Sequence, residues 1–499
     1  MSGNRLLAAI DLGSNSFRLL IGRVEGSPPG ELVLPLDGVK HTVRLAGGLR
    51  EDGSLDAASR ERGLAALAMF GERLRSFAPE AVRAVATNTL RVASNAAQFL
   101  ATAEAALGFP IEVISGLEEA RLIYLGAAHE LPSDGVPRLV VDIGGGSTEC
   151  IVGADMRAST LESAPVGCVA LSTRHFPEGR AGREAFEHAY YAARAIFAQV
   201  AEPFAHQRWH YAVGTSGTAK SLWQVAQAQW GADELDRDSL ARIHAALTEA
   251  GHVDAVQLAG LRPDRRPVLA GGLAVMMAAF DELGIDTMRY CGGALRQGVL
   301  YDMLGRSEGR DTRMVTVEQM LARYGVDRQH AQRVRDTALA LFDQGARAAQ
   351  EVLQARRQVL GWAAELAEVG MSISHEGFHK HSAYILGHAD MPGFSRHEQA
   401  ALANLALAQV GGLRKLRGLI ADDLGWLKVV ALRVSTILHR KRDNRKVPTP
   451  ALFLQRRSLR LEMPQQWARR FPLAHESLLG EASAWSEVRV FEKFAYETI

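Results

Sequence analysis

At 499 residues the chain is long enough for about three or four domains, and its 47% hydrophobic and 23% charged content is that of an ordinary soluble protein. A formal net charge of +1 excludes a global field for polyanions, so any basic track must be local. Cys150, Cys168 and Cys291 form neither a disulfide framework nor a zinc spacing, Asp11 interrupts the first apolar run too early for a signal peptide, and no apolar stretch reaches membrane-span length, so a cytoplasmic setting is expected.

Residues 5–12 and 16–24 read as a first hairpin, with further strands at 31–36 and 40–45. Residues 55–77 carry Leu64, Leu67, Phe70 and Leu74 at helical spacing and predict a long amphipathic helix. A strand at 82–86 ends at Thr87-Asn88-Thr89-Leu90-Arg91, a helix runs to about 107, and 111–115 is a strand. Gly116 then opens a helix with Glu118 and Glu119 in its first turn. A proline-bearing linker at 132–137 precedes a second hairpin. Residues 161–169 read as strand and turn, 182–200 as helix, and 211–213 as a strand ending at Gly214-Thr215-Ser216-Gly217-Thr218. Residues 256–261 and 265–283 are predicted helical, 288–291 a strand, and a helix follows to 304. Beyond a charged linker at 308–312 the pattern is helical to about 442, until Pro448 and Pro450; the remainder mixes strands and helix.

The two hairpins carry the strongest signal. The second reads Leu139-Val140-Val141 into Asp142, then Gly144, Gly145, Gly146, Ser147, Thr148 and Glu149, then a new apolar run. Glycine permits positive φ and close ligand approach, and several amides can then face one anion. Asp142 and Glu149 stand at the shoulders of the turn, placed to hold a hard cation beside that anion. About 130 residues earlier, Asp11, Gly13, Ser14, Asn15 and Ser16 repeat the pattern between Ile10 and Phe17. The repetition suggests a duplicated domain with phosphate held between the halves. It is not a Walker loop, because no Lys-Ser/Thr follows and the next element is a strand.

Other candidates have bland readings beside the functional ones. Glu119 could take a proton from an attacking water, or it could be a solvated helix start favoured by the helix dipole. Asp11 joins Asp142 and Glu149 as a metal candidate, with turn capping as its alternative. Arg91 is a fork donor for phosphate or half of a structural ion pair. His375, His379, His381, His388 and Asp390 crowd one stretch, but Gly377 breaks the helix there, so polar lining is favoured over metal. Arg414, Lys415 and Arg417, and the run His439-Arg440-Lys441-Arg442 with Arg445 and Lys446, could track a polyanion; a solvated surface is the default, and nucleic acid is not expected.

Several stretches taken together resemble the exopolyphosphatase / guanosine pentaphosphate phosphohydrolase family, with bacterial exopolyphosphatases as the nearer type: AAIDLGSNSFRLLIGRV, TNTLRVASN, VISGLEEARLIYLG, VVDIGGGSTE, VGTSGT, CGGALRQGVLYDM and HKHSAYILGHADMPGFSRHEQ. The resemblance implies an α/β fold of two actin-like domains of the acetate kinase/sugar kinase type, at 1–130 and 131–306. A helical HD-like domain at 313–446 and a small α+β region at 447–499 follow. It places the catalytic glutamate on Glu119 and metal and phosphate contacts on Asp142, Gly144 and Glu149. It further implies phosphate contacts at Gly13, Ser14, Asn15, Ser16 and Arg91, and at Gly214, Ser216, Gly217 and Thr218. Three departures stand out. Leu366-Ala367-Glu368-Val369-Gly370 lacks the histidine usual there, and Gly411-Gly412-Leu413-Arg414-Lys415 replaces a His-Arg pattern; both argue against an active HD metal site. Gln297 replaces a glutamate and should alter only local hydrogen bonding.

The expected activity is processive removal of terminal phosphate from linear inorganic polyphosphate, with Mg2+ as cofactor and K+ as a further candidate. Glu119 would deprotonate water, and the polymer would run past His379, Lys380, His381, Arg414 and Lys415. The first alternative is hydrolysis of the 5′-γ-phosphate of guanosine pentaphosphate (pppGpp). A non-catalytic polyphosphate- or nucleotide-binding regulator and a sugar kinase are the others, and the intact Glu119 speaks against the regulator. The resemblance also implies a homodimer through the helical domains, with at most peripheral membrane association.

Overall fold

The computed structural model describes residues 5–26, 31–307, 311–346, 350–443, 447–455, 457–488 and 490–499. The chain divides into two compact units, 1–311 and 312–499.

The first unit contains the same sheet twice. β1 (Leu6–Leu12), β2 (Ser16–Glu25) and β3 (Leu32–Thr42) form an antiparallel meander, and β4 (Val82–Ala86) and β5 (Ile111–Val113) add in parallel, giving the order β3-β2-β1-β4-β5. In the second half β6 (Arg138–Ile143), β7 (Thr148–Ala154) and β8 (Arg157–Ala164) form the meander. β9 (Tyr211–Thr215) and β11 (Thr287–Tyr290) add in parallel, and short β10 (Leu235–Asp236) closes the edge. This is the duplicated actin-like α/β fold. The central strands are covered on both faces: Leu7 and Ala9 enter one apolar core, while Ala8, Ile10 and Leu12 enter another. That is why β1 reads as an unbroken apolar run rather than an alternation. The last helix of the unit, Leu295–Ser307, packs against the helix Gly116–Ala128 and against β1 of the first half. The two helix backbones touch, since a Cβ on Gly298 would lie 1.7 Å from the Leu122 carbonyl oxygen.

Among its described residues the second unit packs six helices, from Thr312–Arg323 to Asp423–His439, with the sheet of β12 (Ala451–Gln455), β13 (Ser458–Met463) and β14 (Lys493–Thr498) and the helices Gln465–Arg470 and Pro472–Val488 between β13 and β14. Leu427, Val430, Leu452, Leu461 and Trp485 belong to one core, and Arg433 donates to both carboxylate oxygens of Glu481 inside it. No described helix is long and apolar enough to cross a membrane.

Several elements differ from expectation. The two strands expected at 31–36 and 40–45 are one strand, β3: Asp37 and Gly38 pair with Ile21 and Leu20, and a register shift at Ile21/Gly22 leaves Leu36 as the extra residue. The helix expected over 55–77 runs Ala57–Leu74, starting where the Asp56 carboxylate accepts from the Ser59 amide. Residues 165–169 do not simply turn: Cys168 begins the helix Cys168–His175. Residues 256–261 are not helical; Gly260 is left-handed and Pro263 follows. The helix in this region is Arg237–Ala250, capped by Asp236 and ended by left-handed Gly251. The expected linker residues 308–310, and Arg445 and Lys446 of the basic run, lie outside the described residues.

Candidate active site

The β1/β2 and β6/β7 turns converge on one cavity of about 100 Å3. Gly13, Ser14, Asn15 and Ser16 line it from one half; Gly144, Gly145, Gly146 and Ser147 line it from the other. None of these glycines is left-handed, so the positive-φ part of the expectation is corrected. What they supply is space. A Cβ on Gly145 would sit 2.8 Å from Ser14 Cβ and 3.1 Å from the Asn15 nitrogen, and one on Gly146 would sit 2.4 Å from Asn88 Oδ1. A side chain at Gly145 would force the loops apart, and one at Gly146 would displace the Asn88 carboxamide.

Four carboxylates line the cavity: Asp11, Glu119, Asp142 and Glu149. Asp142 accepts from Thr215 Oγ1 at 2.9 Å and Ser216 Oγ at 2.7 Å, and Glu149 Oε1 accepts from Ser163 Oγ at 2.8 Å. Burial, and then the charge of Glu149, raises Glu119 well above the ordinary glutamate range, with Arg91 pulling the other way. Burial and the neighbouring Asp142 push Glu149 up to about 7. Asp11 and Asp142 are raised chiefly by burial. Such a crowd of buried oxygen donors calls for a cation or protons. No three His, Cys, Asp or Glu among the described residues converge as a metal-holding group. A cation bound by one or two carboxylates and completed by substrate and water oxygens is the magnesium habit, and the donor set fits it.

Cations face the acids. Arg18 and Arg265 line the cavity too. Ser16 Oγ and Arg265 Nε are buried without a hydrogen-bond partner, as is Arg296 Nε nearby. Burial and Arg18 press the Arg296 guanidinium down to about 10. Unpartnered buried donors beside two glycine turns are what a phosphate would satisfy. Sequence reasoning gave no role to these arginines. Arg18 could have been found, two positions after Ser16 on β2 and so on the same face. Arg265 had no local signal.

Comparison with known proteins agrees with this geometry. Residues 30–307 match the Ppx/GppA phosphatase family, and residues 312–482 match Ppx/GppA phosphatase, domain III. The chain belongs to the Ppx/GppA phosphatase family. It is therefore a phosphoanhydride hydrolase. Relatives from Aeromonas hydrophila subsp. hydrophila and Aeromonas salmonicida, both named guanosine-5'-triphosphate,3'-diphosphate pyrophosphatase, are each 36% identical over 472 residues, covering 94% of this chain and of theirs. Among solved structures, the Aquifex aeolicus family member (24% identity, TM-score 0.50) covers 61% of this chain and 99% of its own. An exopolyphosphatase from Cytophaga hutchinsonii (22% identity, TM-score 0.53) covers 60% and 97%. These two show the fold.

Not every expected contact reaches the cavity of this Ppx/GppA phosphatase. Arg91 does not line it: its Nη1 donates to the Ile114 carbonyl and to Glu119 Oε2 at 3.2 Å, which is the ion-pair reading. Gly214 is packed under Met288 and Ala219, where a Cβ would lie 2.5 Å from the sulfur. Thr218 donates to the Ile143 carbonyl and accepts from Arg265 Nη2, so it supports the loop from behind. Gln297 accepts from the Ala294 amide, a local bond. Ser216 and Gly217 do line the cavity.

Glu118 and Glu119 point to different worlds. Glu118 accepts from Arg121, which also donates to Asp302; Asp302 in turn accepts from Arg83 and Arg306, and Arg83 pairs with Glu112. Three arginines and three carboxylates thus balance inside the fold. Burial opposes the Asp302 charge, yet Arg121, Arg306 and Arg83 hold it well below the ordinary aspartate range. The network pins the helix that presents Glu119 to the helix Leu295–Ser307.

Beyond Ser216 and Gly217 a second recess of about 420 Å3 shares Arg18 and Arg265 with the first. Lys40, Lys220, Arg262 and Arg296 also line it, as does Tyr290, whose ring stacks on Trp223 with centroids 5.3 Å apart.

In the second unit, His379, Lys380 and His381 lie on the helix Phe378–His388, and Arg414 and Lys415 on a 3-10 turn. Burial, then Arg433 and Lys380, presses the Lys415 ammonium down to about 8, and burial, then Lys415, Lys380 and Arg433, lowers His379. Lys415 already donates to the Val410 carbonyl at 2.5 Å, and Arg414 pairs with Glu487 at 3.6 Å. Within the basic run, Arg440, Lys441 and Arg442 are exposed, the default reading, and Arg442 pairs with Glu368; only His439 departs, being buried and bonded to Thr337 Oγ1.

Proposed function

We propose that this chain hydrolyses the terminal phosphoanhydride of a linear phosphate chain and releases orthophosphate. One observation carries the reading: the two glycine turns, the unpartnered donors of Ser16 and Arg265, and Glu119 share one small cavity that opens beside a cationic recess. The turn amides and Arg265 would bind the terminal phosphoryl group and stabilise the charge spread over its oxygens, the main task in phosphoryl transfer. Glu119, held by Arg91, would orient the attacking water and take its proton. Asp142 and Glu149, with Asp11 behind, would hold Mg2+, which when bound neutralises phosphate oxygens. Arg18 and Arg296 would receive the next phosphates along the recess.

The recess supports a linear inorganic phosphate chain, of a length its lining does not itself fix, because that lining is cationic. A second reading, hydrolysis of pppGpp, is favoured by the name carried by relatives that are 36% identical over 94% of the chain. The test is orthophosphate release with Mg2+ from long-chain polyphosphate and from pppGpp, side by side. Release from the polymer without intermediate lengths supports the first reading, and preference for the nucleotide supports the second. Release from neither refutes both.

A further inference from the structure

The recess beyond Ser216 carries six cations, Arg18, Lys40, Lys220, Arg262, Arg265 and Arg296, against two acids, Glu130 and Asp264. The acids are not equivalent. Glu130 faces the Cys291 thiol, 3.6 Å from its Sγ. Asp264 engages two of the six cations: Oδ2 accepts from Lys40 Nζ at 2.6 Å, and Oδ1 lies 3.2 Å from Arg262 Nε. Lys40 belongs to β3 in the first half, and Asp264 to the 3-10 turn Pro263–Val268 in the second, 224 residues away. The pair therefore closes one half onto the other across the recess. Its place along the recess follows from exposure. The Lys40 and Asp264 side chains are both 31% exposed, whereas Arg265, the next residue, is buried among the phosphate-binding loops. The pair stands at the solvent edge, and the inner cations lie behind it.

We propose that the Lys40–Asp264 pair determines substrate length: it clamps the outer end of the recess and cancels one of the two positive charges there, so that a short phosphoanhydride is preferred to a long polymer. The inference rests on the phosphohydrolase reading above and names the class of substrate that site favours. A short chain needs only the terminal-phosphate cavity and the inner arginines. A long chain must pass the edge, where Lys40 and Arg262 share Asp264, so that only one net positive charge remains for it, and where the two halves are joined. An exposed pair contributes little to stability, so its removal leaves the fold intact. Its effect on a polyanion is nevertheless direct, and screened by salt.

The experiment uses the full chain with Asp264→Asn, Lys40→Met and both together. It measures KM for orthophosphate release from long-chain polyphosphate and from tripolyphosphate, at low and high salt, and direct binding of the two anions by titration. Asp264→Asn should lower the ratio of polymer KM to tripolyphosphate KM by about two- to fivefold, the worth of one freed surface charge. The shift should shrink at high salt and shrink again when Lys40→Met is added. An unchanged ratio, an equal change for both lengths, or a ratio insensitive to salt overturns the proposal. If the unsubstituted chain hydrolyses neither anion, the phosphohydrolase reading falls by itself. The binding ratios of the same variants then still decide the clamp by the same criteria.

Discussion

Gly145→Ala tests whether the two turns must touch for the site to work. The added Cβ would meet Ser14 Cβ at 2.8 Å, the Asn15 nitrogen at 3.1 Å and Val169 Cγ2 at 3.3 Å. Carbon atoms rest at about 3.5–4.0 Å, so the β1/β2 turn must retreat by about 0.7–1 Å. Neither neighbour can swing away, because one is a Cβ and the other a backbone nitrogen. Overpacking of this kind costs about 1–3 kcal/mol of stability, and a misplacement of about 1 Å can cost about 100-fold in rate. Orthophosphate release should therefore fall by about two orders of magnitude, while the melting temperature drops only modestly. Ser14→Gly removes the nearest clashing atom and should restore part of the activity in the double variant, with the Asn15 contact limiting the rescue. Activity of Gly145→Ala within twofold of the unsubstituted chain would refute the reasoning, as would a double variant no better than the single one.

Four further outcomes follow from the same geometry. Glu119→Gln should reduce turnover by about 100- to 10,000-fold with substrate binding retained, checked by titration and single-turnover assays; near-normal turnover sinks the base assignment. Ser216 is left-handed at φ 63 and its hydroxyl donates to Asp142; Ser216→Gly should be about 1 kcal/mol more stable than Ser216→Ala in denaturant titrations, although both lose the bond. Asp302→Ala leaves the buried Arg83 and the half-buried Arg121 and Arg306 with fewer carboxylates and should cost about 3 kcal/mol in chemical unfolding, with turnover falling because the Glu119 helix loses its anchor. Burial, then His330 and Arg333, presses the His439 ring down to about 4, so the folded state keeps it neutral while the unfolded chain takes up a proton near 6.5. Its contribution is complete above about pH 6.5 and is lost as pH falls toward 4; His439→Gln should flatten the dependence of melting temperature on pH in that window, and an unchanged slope counts against it.

What was legible in the sequence is local. The turns after β1 and β6 announce themselves because a strand, a carboxylate, glycines and a serine follow one another within ten residues, twice. Glu119 is visible as one of two acids in a helix's first turn, but its role came only from the family resemblance. The duplication and the apolar runs indicated paired halves with buried strands, and the resemblance supplied the actin-like fold.

The functional detail that the sequence hid is nonlocal. Glu118 and Glu119 are neighbours with equal chemistry, and only Asp302, brought alongside from the far end of the unit, sends one into a buried ion network and leaves the other to the cavity. Arg91 looked like a phosphate ligand until packing set it on Ile114 and Glu119. Arg265 and Asp264 are adjacent, yet one is buried beside Thr218 and the other meets Lys40 across the cleft. The glycines were predicted both for positive φ and for close approach; none is at positive φ, and what they permit is the close approach of the two loops. By itself the sequence determined which backbone could turn and which strands could be buried, since these depend on a residue and its near neighbours. The tertiary structure alone decided which charges meet, because a side chain's electrostatic partners are set by elements that arrive from hundreds of residues away.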